Sequence, residues 1–186
     1  MLDYAICQDK ISSETPELIP YRKGDKWGYC LPAQPGDKDK RIIIPVKYNF
    51  AFPFSNGLAP FRTGEKWGYM DKESKEVIPS KYNFAGNFSE GLSAVGINDK
   101  SGFIDKQGKE IIPLKYDGVY CFSEGLAAVR LNGKWGFINK TGNKVIPLKY
   151  LPGEDGIIRL LDGVVLMRLG NNLEYIDKNG TEYWED

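Results

Sequence analysis

The chain has 186 residues, in which 25 Lys and Arg balance 25 Asp and Glu, and it contains no histidine. A neutral chain offers no field to draw in nucleic acid or an anionic membrane, both of which reward a basic face. The missing histidine excludes His-based triads, HExxH zinc sites and histidine acid–base chemistry.

Residues 1–20 read as an N-terminal arm or cap. The opening MLDYAICQDK carries no basic cluster, and no apolar run follows that would serve as a signal-peptide core. No stretch approaches the roughly 18 apolar residues of a membrane helix, so a cytoplasmic location is expected. Cys7, Cys30 and Cys121 stand at unrelated positions and form neither a disulfide framework nor a CxxC metal pair. They are expected to be reduced thiols.

From residue 21 to 186 the chain repeats itself, about four and a half times, as a single domain. The first unit holds YRKGDKWGYC and then the segment CLPAQPGDKDKR, which lengthens its second turn. After it the register is strict: Pro45, Pro79, Pro113 and Pro147 recur every 34 residues, as do Tyr48, Tyr82, Tyr116 and Tyr150, each preceded by Lys. Trp67, Ser101 and Trp135 keep the same spacing, and Leu173 takes the Trp place in the last unit. A second phrase recurs as FSNGLA, FSEGLSA and FSEGLAA, starting at Phe54, Phe88 and Phe122.

Each unit reads as three strands. In the clearest copy, Leu126–Leu131 and Lys134–Asn139 flank Asn132-Gly133, the dipeptide that supplies the two positive φ values of a type I′ hairpin turn. NKTGN then places Asn first and Gly fourth in a type I-like turn, folding the second strand onto a third, KVIP. Pro147 limits that strand to a sheet edge or ends its ladder, because proline donates no hydrogen bond. No stretch sustains a 3.6-residue period, so helices should be few. The expected fold is all-β: tandem three-stranded antiparallel meander repeats forming a solenoid-like or small propeller-like array. MLDYAI supplies a strand that closes a ring in one version, or caps the first repeat in the other.

The motif KWGFINKTGNKVIPLKY, with its FSEGLAAV partner, resembles the bacterial WG repeat, also called the KWG repeat. The likeness covers about residues 21–182. Departures are Ser101 for Trp, Leu173-Glu174 for Trp-Gly, and Ser74 for the turn glycine. The resemblance implies an all-β interaction or binding array and brings no catalytic residues with it.

The recurrent residues have scaffold explanations. Strand alternation puts Trp135 and Phe137 on one face, expected to stack on the next repeat, against the alternative of exposed Trp platforms for sugar rings. Four equivalent Lys-Tyr pairs argue for packing, since catalysis needs one constellation in one pocket. Asp71, Asp105 and Asp177 each offer one carboxylate followed by Lys, too few oxygens for calcium. No catalytic, metal or cofactor site is nominated, and the chain is read as no enzyme.

What remains is the expectation of a non-enzymatic protein-binding module of the bacterial cytoplasm, such as a regulatory adaptor or neutralising partner; a carbohydrate or cell-envelope binder is the alternative. Binding to a protein partner should fall where the copies differ, in the connections between units: Phe50, Phe52, Tyr120, Glu154 and Ile157. Those connections are expected at the same strand ends as the first turns of each unit. The inserted turn Leu31 to Asp39 ranks second.

Overall fold

The computed structural model describes residues 18–33, 41–152, 162–170 and 172–183. Among them every regular element is a strand and every pairing is antiparallel. No helix there is long and apolar enough to cross a membrane.

The first unit contains β1 (Ile19–Lys23), β2 (Lys26–Cys30) and β3 (Ile42–Tyr48), in that order across the sheet. β1 therefore starts inside the stretch assigned above to the arm. The second unit contains β4 (Phe50–Ala51), β5 (Ala59–Thr63), β6 (Lys66–Met70) and β7 (Glu76–Tyr82); the third repeats it as β8 (Phe84–Ala85), β9 (Ser93–Ile97), β10 (Lys100–Ile104) and β11 (Glu110–Tyr116). In the fourth, β12 (Gly118–Val119), β13 (Leu126–Leu131) and β14 (Lys134–Asn139) lead to β15 (Lys144–Pro152). The end of β15 runs straight on to pair with β16 (Val164–Leu169) of a fifth unit, which continues through β17 (Asn172–Asp177) to β18 (Glu182–Tyr183).

Complete units thus have four strands rather than three. The extra one, β4, β8 or β12, is only two residues long, too short to show an alternating pattern in sequence. It forms because the residue after each Lys-Tyr turns the chain sharply: the amides of Asn49, Asn83 and Asp117 donate to the carbonyls of Arg62, Gly96 and Arg130. The same three side chains accept from the first-turn amides of Gly64, Asn98 and Asn132. The chain then runs back along the next long strand to a turn closed by the bridges Ser55–Leu58, Ser89–Leu92 and Ser123–Leu126. The connection therefore crosses the sheet, and the expectation that it stays at the first-turn end is corrected.

The proline expectation is half met. β7 and β11 lie at the edges of their sheets, but their ladders resume beyond Pro79 and Pro113. In the second unit Trp67 opposes Tyr82 while Tyr69 opposes Ile78, so three residues of β7 bow out against Gly68 alone. Proline's missing donor falls inside this bulge, where no ladder bond is lost. A β-carbon at residue 68 would sit 2.6 Å from the Ile78 carbonyl oxygen, and one at residue 136 would sit 2.5 Å from that of Ile146. Gly28 and Gly102 are covered in the same way. The Trp-Gly and Ile-Pro-x-Lys-Tyr phrases are thus two halves of one device: the glycine makes room for the bulge.

The turns follow their sequences. Asn132 and Gly133 have φ of 51° and 75°, and Asn98-Asp99 does the same with 47° and 63°. In the second turn Gly108 and Gly142 take positive φ and donate to the carbonyls of Asp105 and Asn139. Asp105 Oδ1 accepts from the amides of Gln107 and Lys109, so its lone pairs shape the turn.

The core lies between units. Each presents one face, Trp67, Tyr69, Ile78 and Tyr82 in the second, to the opposite face of the next, here Ala85, Phe88, Val95 and Ile104. The other junctions repeat this: Tyr29, Ile44 and Tyr48 against Ala59, Phe61 and Met70; Phe103, Ile112 and Tyr116 against Ala127, Val129 and Ile138; Trp135, Phe137, Ile146 and Tyr150 against Val165, Met167 and Ile176. Hydrogen bonds add rungs, Ser55 Oγ to the Phe88 carbonyl at 2.8 Å and Ser89 Oγ to that of Phe122 at 2.7 Å. The FSxG phrase recurs because its serine reaches the next copy. Cys30 is buried with a free thiol.

Candidate interaction surface

Trp67 and Trp135 are 3% and 8% exposed, so their ring faces are spent on packing rather than offered as platforms. The Lys-Tyr pairs are absorbed too. Tyr48, Tyr82, Tyr116 and Tyr150 are buried at the junctions, and the preceding Lys Nζ lies 5.0–5.2 Å from each ring centroid, a cation–π distance. Burial pushes the phenol of Tyr150 up to about 12, helped by its hydrogen bond to Glu182. Partial burial opposes the charge on Glu182, yet its bonds to Lys149 and Tyr150 hold its carboxyl below the usual range. These tyrosines are structural.

The connection aromatics sit against the tryptophans. Phe52 stacks on Trp67, centroids 5.4 Å apart and planes 25° apart. Phe50 lies 5.0 Å from Trp27 of the preceding unit, 5.1 Å from Phe52 and 5.8 Å from Trp67. Four rings therefore run continuously across the first junction, and all but Trp67 are half-buried. In the fourth unit Tyr120, also half-buried, lies 5.4 Å from Trp135. Glu154 and Ile157 lie outside the described residues, as do the arm through residue 17 and most of the inserted turn.

An arginine completes each station. Arg62 and Arg130 pair across the hairpin with Trp67 and Trp135, and their guanidinium carbons lie 5.7 Å and 5.5 Å from those rings. Sequence reasoning missed both, although the signal was there. In the third unit the arginine, tryptophan and connection aromatic are replaced together, by Gly96, Ser101 and Gly86. In the fifth unit, by contrast, Arg168 stays opposite Leu173, so the arginine does not follow the indole in every copy. The surface thus has two aromatic–arginine stations separated by a unit that lacks one. At the junction of the first and second units, Lys47, Tyr48, Phe61, Thr63, Met70, Ser74 and Glu76 line an open cleft of about 310 Å³.

These stations can bind without chemistry. A ring fixed by stacking loses little rotamer freedom on association, and a guanidinium beside it adds donors for a carboxylate or carbonyl. Aromatic and arginine side chains with such support dominate protein interfaces.

The WG containing repeat family matches residues 37–67, 67–100, 102–135 and 135–150. Two solved structures align with 89% of this chain at 11% identity and a TM-score of 0.50: KlHsv2 with loop 6CD replaced by a Gly-Ser linker, and Hsv2p of Kluyveromyces lactis. The chain covers 61% and 58% of their respective lengths, about three fifths of each. The likeness is one of fold, β-propeller-like. No curated protein matches the chain in sequence.

Proposed function

The chain belongs to the WG containing repeat family, and on that premise we propose that it is a non-enzymatic protein-binding module of the bacterial cytoplasm, serving as a regulatory adaptor or a neutralising partner. The observation that carries this reading is the division of labour among its residues. Those that recur in every unit are spent on stacking, bulges and turns, while the aromatics Phe52 and Tyr120, whose position is Gly86 in the third unit, stay half-exposed against their tryptophans. A surface of this kind recognises a partner through anchors and needs no reacting group. Affinity capture from the native host with wild type and with a Phe52→Ala/Tyr120→Ala double variant tests it. A protein retained by the first and lost by the second is expected; identical captures would remove these rings as the site.

A second reading, a cell-envelope or carbohydrate binder, draws on the 13% aromatic content of the chain and on the recurrence of its rings. The burial of Trp67 and Trp135 counts against it, because a sugar platform needs an open ring face. Fractionation of the native host separates the two. Recovery with the soluble cytoplasmic fraction favours the first reading, and recovery from the envelope favours the second.

A further inference from the structure

The junctions between units follow one plan, and the first departs from it at two places that line the same cleft. At the second, third and fourth junctions the residue ending β9, β13 or β16, which is Ile97, Leu131 or Leu169, packs against the shared core. β5 of the first junction ends on Thr63 instead, and Thr63 is exposed. Its short polar side chain does not fill the apolar place, so Phe61 and Met70 are left lining the open cleft of about 310 Å³. That volume is at the lower end of the roughly 300–1,000 Å³ of small-molecule sites.

The polar side of the cleft differs as well. At the fourth junction Glu182 stands opposite Ile176, and its carboxylate accepts from the Tyr150 hydroxyl and pairs with Lys149 Nζ at 2.6 Å. Glu76 holds the same register opposite Met70 and lines the cleft with the equivalent Tyr48 and Lys47. Its Oε1, however, accepts from the amide and the hydroxyl of Ser80 at 2.7 and 3.1 Å. Val46, Leu114 and Leu148 occupy the Ser80 place in the other bulges and have no hydroxyl to offer. Among the described residues, this leaves the Tyr48 hydroxyl a 3.4 Å contact with Ser74 Oγ and the Lys47 ammonium a cation–π contact with the Tyr48 ring, and neither has a carboxylate.

We propose that this cleft binds a free α-amino acid with a branched aliphatic side chain. Lys47 and the Tyr48 hydroxyl take its carboxylate through charge-assisted bonds, as Lys149 and Tyr150 take that of Glu182. Its ammonium group falls to Glu76, and its side chain lies over Phe61 and Met70 beside Thr63, where the other junctions carry isoleucine or leucine. One cation and one anion line the cleft, so a zwitterion meets both with opposite charge, whereas a simple carboxylate would face Glu76 and a simple amine Lys47. None of the lining residues belongs to the aromatic–arginine stations, so the site does not depend on a protein partner.

Titration of the isotope-labelled full chain with L-leucine, followed through its amide resonances, tests this. Saturable shifts are expected at Thr63, Met70 and Ser74. Glycine lacks the side chain, leucinamide the carboxylate and isocaproate the ammonium group, and each should bind at least about tenfold more weakly. Thr63→Leu installs the side chain that closes the third and fourth junctions, so it should abolish the shifts while keeping or raising the denaturation midpoint. Lys47→Met should weaken leucine binding at least about tenfold. Should Thr63→Leu fail to fold, Tyr48→Phe takes its place, since it removes one hydroxyl and keeps the ring packed on Phe61, and it too should weaken binding. L-leucine that causes no saturable shift at these amides overturns the proposal, as does unchanged binding in the variants. Isocaproate binding as tightly as leucine overturns it too, because Glu76 would then have no ammonium group to hold.

Discussion

The carbonyl oxygen of Ile78 occupies the space that a β-carbon on residue 68 would need, 2.6 Å from its ideal position. Relief requires the bulge of β7 to lift off β6, which would disturb Tyr82 at the junction with the third unit. Gly68→Ala should therefore cost roughly 1–3 kcal/mol, in the range of overpacked cores. Gly64→Ala in the neighbouring turn is the control, since nothing lies within 4 Å of an added carbon there and only its φ of +59° is strained. Urea denaturation compares them, and an equal or smaller loss at Gly68 would contradict the bulge account.

Trp67 and Trp135 fill junctions, so truncating either to Ala should lower stability by roughly 3–5 kcal/mol. Losses below about 1 kcal/mol at both sites would mean that the rings are exposed in solution, and the platform reading would return.

Much of this architecture was legible in the sequence because the repeat makes each unit a control for the others. The 34-residue register, the Asn132-Gly133 turn and the stacking face of Trp135 and Phe137 follow from spacing and alternation. The two-residue strands were not legible, since they are defined by backbone bonds from Asn49, Asn83 and Asp117 rather than by a side-chain pattern. That the glycine after each Trp admits a neighbouring backbone was legible, but only the register shows that this backbone is the bulge at Pro79. At the candidate surface, Phe52 and Tyr120 were found by asking where copies differ, whereas Phe50 recurs as Phe84. Arg62 and Arg130 escaped although the two-residue turn of each hairpin already sets them opposite Trp67 and Trp135, because the pairing was not followed across the turn.

Ser74 stands where the second turns of the later units have Gly108, Gly142 and Gly180, and it holds φ at 67°. A left-handed residue with a side chain is strained by roughly 1–2 kcal/mol, and little offsets this, since its Oγ lies 3.4 Å from the Tyr48 hydroxyl. Ser74→Gly should stabilise the protein by about 0.5–1 kcal/mol once the greater freedom of the unfolded glycine is allowed for. An unchanged or lower denaturation midpoint would show that the Tyr48 contact outweighs the strain.

Burial raises the phenols of Tyr29, Tyr69 and Tyr150, the last to about 12. A folded value above the unfolded one means that the neutral form stabilises the fold. That contribution is complete below about pH 10 and is lost as pH rises through the folded values. Stability should thus fall steeply above pH 10, and tyrosine absorbance should show a late group of phenols ionising together with loss of strand signal. Ionisation of every tyrosine near pH 10 with the fold intact would contradict their placement at the junctions.

The central claim is that binding resides in the half-buried rings rather than in the recurrent scaffold, and titration calorimetry with the captured partner tests it most directly. The measurement belongs well below the melting temperature, because Phe52 also supports Trp67 and its loss lowers stability as well. Phe52→Ala and Tyr120→Ala should each weaken Kd tenfold or more, about 1.4 kcal/mol, while Ile112→Val, a change inside a buried junction, leaves it unaltered. Unchanged affinity in both ring variants would contradict the claim and move the site elsewhere on the array.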